Sequence, residues 1–104
     1  MYAIELYVPK FDNAGRSFKP EDWLSLERQI TDAFGGFTRY AGIGSFKGQE
    51  EAVTVYRILS WNLAGSITVE DKTAIEAIAD WVKINWQQET VLWTYAKIDD
   101  MNLV

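Results

Sequence analysis

Residues 35–59 read GGFTRYAGIGSFKGQEEAVTVYRIL, and the order of signals in this stretch decides the fold. Gly35-Gly36 is a helix stop, because glycine takes the left-handed conformation at a helix C-terminus without steric cost. Phe37 to Phe46 then has strand composition, and Glu51 to Leu59 alternates Val53, Val55, Arg57 and Leu59 against Ala52, Thr54, Tyr56 and Ile58. A tight turn near Lys47-Gly48 joins the two. Gly42 and Gly44 weaken the first strand, which predicts an edge position, a bulge or a close backbone approach.

Working outward, Trp23, Leu26, Ile30, Ala33 and Phe34 recur at three- and four-residue steps ahead of the glycine stop. That spacing predicts an amphipathic helix, with Pro20 at its first position and Glu21 and Asp22 favourable to its N-terminal dipole. Tyr2 to Val8 alternates and ends at Pro9, a strand, and Asp12-Asn13-Ala14-Gly15 is a turn signal. Downstream, Trp61 to Ile67 reads as a loop. A second helix is expected from about Val69 or Glu70 to Trp86, capped by Thr68, with Ile75, Ile78, Ala79, Val82 and Trp86 on one face. Thr90 to Ile98 is the last strand and Asp99 to Val104 a short tail. The order βαββαβ, with a tight link between strands two and three, is the split βαβ pattern of a ferredoxin-like α+β domain spanning residues 1–104. Its sheet is antiparallel, in the order four-one-three-two, with both helices on one face.

Composition narrows the chemistry. The 104 residues include no cysteine and no histidine, which removes disulfides, thiol nucleophiles, Cys/His zinc sites and an imidazole base. A net charge of −5 without a basic stripe disfavours nucleic acid. No apolar run approaches a signal sequence or a membrane span, so a cytoplasmic protein without membrane contact is expected. Five tryptophans are many for a domain of this size, and they suggest that some rings reach a second interface.

Glycine-rich residues 42–48 lack the G-x-G-x-x-G spacing and a following helix, so they are not a dinucleotide loop. If strand two alternates regularly, Tyr40, Gly42, Gly44 and Phe46 share a face. The acidic pairs at 21–22, 50–51, 70–71 and 99–100 are adjacent in sequence and suit helix starts and turns better than a hard-cation site. No cofactor fingerprint is present, and none is expected. Arg39 on a strand needs a hydrogen-bonding partner, for which Glu5, Glu51 and Glu89 are the candidates. Alternatively, Arg39 with Tyr40 forms an anion-binding, ring-stacking corner beside the glycine strip.

Gly35-Gly36-Phe37-Thr38-Arg39-Tyr40, then Gly42-x-Gly44-x-Phe46, then Gln88-Glu89-x-Val91 resembles a group of small uncharacterised bacterial proteins. These show Gly-Gly-x-Thr-Arg-Tyr, Gly-x-Gly with an aromatic residue, and Gln-Glu-x-Val opening the final strand; Phe46 stands where a tryptophan is usual. The resemblance implies a compact ferredoxin-like domain and no particular activity.

An antiparallel sheet with both helices on one side leaves its other face to solvent, a ligand or a partner. Large apolar residues fall on both alternation faces, as with Leu6 beside Tyr7, Val55 beside Tyr56 and Leu92 beside Trp93. This predicts a homodimer packed through the open sheet face, serving as a binding or regulatory module for a small-molecule ligand. The alternative is a cofactor-independent enzyme of the dimeric α/β-barrel type, acting on an aromatic or anionic small molecule. Tyr7, Arg39, Tyr40, Tyr56 and Trp93 are the candidate lining residues.

Overall fold

The computed structural model describes residues 1–60 and 66–98. Most of the expected 61–67 loop and all of the 99–104 tail lie outside the described residues. The elements follow the expected order: β1 (Tyr2–Pro9), α1 (Pro20–Phe34), β2 (Thr38–Phe46), β3 (Gln49–Ser60), α2 (Val69–Asn85) and β4 (Leu92–Lys97). They form a four-stranded antiparallel sheet in the order β2-β3-β1-β4, the ferredoxin-like arrangement. None of the described helices is long and apolar enough to cross a membrane.

Alternation in β1 organises the interior. Tyr2, Ile4, Leu6 and Val8 are all buried on the helix side. Register places Leu6 between Tyr56 and Trp93, and Ile4 between Ile58 and Tyr95, so each β1 side chain meets one from each neighbouring strand. Leu26 and Ile30 of α1 and Ile75, Ile78 and Val82 of α2 close this layer. Full burial of each such aliphatic side chain is worth about 1.5–3 kcal/mol.

Local signals set the helix ends. The Asp22 carboxylate accepts a hydrogen bond from the Lys19 N–H (3.2 Å) at the start of α1, and Gly35 ends it at φ 91° with its N–H on the Thr31 carbonyl. Thr68 caps α2 by accepting from the Asp71 N–H at 3.2 Å.

β2 is an edge strand, one of the alternatives its glycines predicted, and its register with β3 runs unbroken from Thr38↔Arg57 to Phe46↔Gln49, so the glycines do not form a bulge. A Cβ added at Gly42 would lie 3.4 Å from Val53 Cγ2 and 3.6 Å from Val55 Cγ2, in ordinary contact. Three of the tryptophans, Trp23, Trp81 and Trp86, gather inward. Trp86 is fully buried, with Phe18, Trp23 and Trp81 around it at ring-centroid distances of 4.3, 5.3 and 5.5 Å. Because α1, α2 and the 10–19 connection all deliver rings to one end of the core, they pack on each other there.

Candidate functional site

Strand alternation divides the five candidate lining residues between the two faces of the sheet. Arg39, Tyr56 and Trp93 point to the helix side, in register with buried residues, whereas Tyr7 and Tyr40 point to the open face. Adjacent strand residues cannot share a face, so Arg39 and Tyr40 form no common corner.

On the helix side the partner of Arg39 is Glu27 of α1, an ion pair that replaces the three carboxylates expected from the sequence. The Tyr56 hydroxyl donates to the same carboxylate, at 2.8 Å from Oε2. Tyr56 is fully buried, and Phe37 packs on it edge to face at 5.2 Å. Burial foremost, then the hydrogen bond to Glu27, pushes the Tyr56 phenol well above the ordinary tyrosine range. The hydrogen bond that Arg39 itself donates to Glu27, and then the charge of that carboxylate, raise the Arg39 guanidinium above its usual value. Tyr56 is therefore an anchor between sheet and helix. Trp93 lies apart from it. It is half-buried, stacks on Tyr95 at 6.4 Å, and borders a shallow cleft of about 220 Å³ between α2 and β4 with Glu76, Asp80 and Lys83.

The open face carries a different cluster. Glu5, at the middle of central strand β1, accepts hydrogen bonds from the Tyr40 hydroxyl at 2.7 Å and the Tyr7 hydroxyl at 3.2 Å, both on Oε2. Val55 lies between Tyr7 and Tyr40 in register and is 3% exposed, although neither described helix covers it. The two tyrosines and the carboxylate thus form a small roof over the sheet. The hydrogen bond to Glu5, followed by desolvation, raises the Tyr40 phenol above the ordinary range. Arg57 stands across from Glu5 on β3, and Leu92, 60% exposed, lies across from Tyr7 on β4.

Glu5 is the residue that sequence reasoning undervalued, naming it only as a partner for Arg39. The signal was present in a carboxylate on the alternation face of Tyr7, inside a strand flanked by apolar residues. A third carboxylate, Asp71, accepts from the Tyr2 hydroxyl and from Ser60 Oγ (2.8 Å) where α2 begins, and it fastens that helix to β1 and β3. Among the described residues no cluster of three or more Asp, Glu, His or Cys could hold a metal ion.

No family model matches the chain, and no curated protein matches it. Two solved structures do. A phage SAM lyase in complex with S-methyl-5'-thioadenosine superposes with a TM-score of 0.62 at 16% identity, covering 92% of this chain and 80% of the other. A phage SAM lyase in the apo state gives a TM-score of 0.66 at 18% identity, over 91% and 78%. At these identities the likeness establishes the fold: a small α+β domain of ferredoxin-like architecture.

Proposed function

We propose that this chain is a small homodimeric binding module whose open sheet face receives an adenosyl sulfur compound or a related organic cation. The observation that carries the reading is Glu5, a carboxylate set between two tyrosine rings on the sheet face opposite the described helices. A carboxylate flanked by aromatic rings suits a sulfonium or ammonium group, through charge and through the negative ring faces. The ligand of the structural neighbour adds support, because S-methyl-5'-thioadenosine is held there on the same fold. Exposed Tyr40 and Leu92 on the rim give a second copy apolar surface on which to close over the site.

Calorimetric titration with SAM and with S-methyl-5'-thioadenosine tests the ligand, and light scattering tests the dimer. Glu5→Gln should weaken SAM at least tenfold while changing the uncharged thioether less. Leu92→Glu should break the open-face contact and lower the mass. Failure of wild-type protein to bind either compound at millimolar concentration would end the ligand reading. A monomeric wild type would end the dimer reading.

The fold shared with a lyase also supports a second reading, a cofactor-independent enzyme at the same face. Incubation with SAM followed by chromatography for S-methyl-5'-thioadenosine decides it: product formed by wild type and lost in Glu5→Gln supports catalysis.

A further inference from the structure

We infer that the outer edge of β2 is a separate docking surface, on which a second copy of this chain adds its own β2 antiparallel. The turn sets the geometry. Lys47 and Gly48 alone join β2 to β3, and both have positive φ, 52° and 78°, the type I′ arrangement of a two-residue hairpin loop. In such a hairpin the residues flanking the loop, Phe46 and Gln49, exchange backbone hydrogen bonds. Counting back along the unbroken register, the even-numbered residues of β2 direct N–H and C=O at β3. Arg39, Ala41, Ile43 and Ser45 direct theirs outward, in one straight row.

Exposed sheet edges are normally guarded by short length, lysine, proline or a bulge. The opposite edge, β4, follows that rule with six residues ending at Lys97. β2 does not. It has nine residues, no proline and a continuous register, and its single charge, Arg39, is turned toward Glu27. From Tyr40 to Phe46 the strand is uncharged, and Ile43 is 73% exposed.

Electrostatics select a second copy as the occupant. At net charge −5, two copies repel over most of their surfaces, whereas this edge lets them meet without opposing like charges. A strand edge is also self-complementary about a two-fold axis. With that axis at Gly42, the outward groups of Ala41 fall opposite Ile43 of the second copy and those of Arg39 opposite Ser45. The contact leaves the open face free, so the two contacts do not compete for the same surface.

Backbone hydrogen exchange and sedimentation equilibrium from micromolar to millimolar wild-type protein test the inference. The amides of Ala41, Ile43 and Ser45 should be protected, and protection should fall with the mass on dilution. Ile43→Pro removes an outward N–H and no bond within the protomer, so it should halve the mass with an unchanged circular dichroism spectrum. Ile43→Lys should do the same if the proline variant does not fold. Leu92→Glu, on the open face, should leave the three amides protected. Fast exchange at those amides at the highest concentration overturns the proposal, as does a mass that neither Ile43 variant alters but Leu92→Glu lowers. A monomer whose Ile43 amide is protected only by an added extended peptide assigns the edge to another partner and also overturns it.

Discussion

Glu27 and Glu5 do the same local chemistry on opposite sides of one sheet. Each carboxylate accepts from two donors, Tyr56 and Arg39 for Glu27, Tyr7 and Tyr40 for Glu5. They differ in cover. Glu27 has a side chain only 16% exposed and serves a phenol that is fully buried, so its bonds hold α1 to the edge of the sheet. Glu5 and its tyrosines lie on the face away from both described helices. A hydrogen-bonded group under cover contributes to stability, because leaving its partner unsatisfied costs the full desolvation penalty. The same group on an open face can release its partners to water or to a ligand at small cost, and for this reason the open cluster is the one read as a site.

Removing the covered carboxylate should have the largest effect. Glu27→Ala strands the Tyr56 hydroxyl in the core, and a loss of about 1–3 kcal/mol in urea or thermal unfolding is expected. An unchanged midpoint would break the contrast. Tyr56→Phe keeps the ring packing and removes only the hydroxyl, so a loss of about 0.5–1.5 kcal/mol is expected by the same measurement. Arg39→Met should cost less than Glu27→Ala, because the guanidinium is largely exposed and screened.

Alkaline titration sharpens the same point. The Tyr56 pKa in the folded protein lies above the ordinary value of 10.0, so the folded state keeps a proton that the unfolded chain releases near that pH. The stabilisation is complete below about pH 10 and falls as pH rises beyond it, a slope that urea melts should detect and that Tyr56→Phe should reduce. On the open face the smallest effects are expected. Glu5→Gln should move stability by no more than about 0.5 kcal/mol. It should also bring the raised Tyr40 phenol back toward the ordinary range, read by ultraviolet difference titration of wild type against Tyr40→Phe.

Much of the architecture was legible in the chain itself. Period-two runs, three- and four-residue apolar spacing, Gly35 and Thr68 at helix ends, and Lys47-Gly48 at the turn are all local signals, and each sits where the structure puts it. Their order implied the sheet order, because a tight hairpin between two helices leaves few alternatives. The pairing of side chains was not local. Alternation alone separates Arg39 from Tyr40, but Glu27 as the partner of Arg39 depends on how α1 lies over β2 and β3, twelve positions away in sequence. The tertiary structure likewise decided that Tyr56 is a core anchor and that Glu5, beside Tyr7 on β1, takes a hydrogen bond from Tyr40, 35 positions from it in sequence. Element type is set by neighbours along the chain, whereas the cover over a carboxylate is set by which helix the folded sheet brings above it.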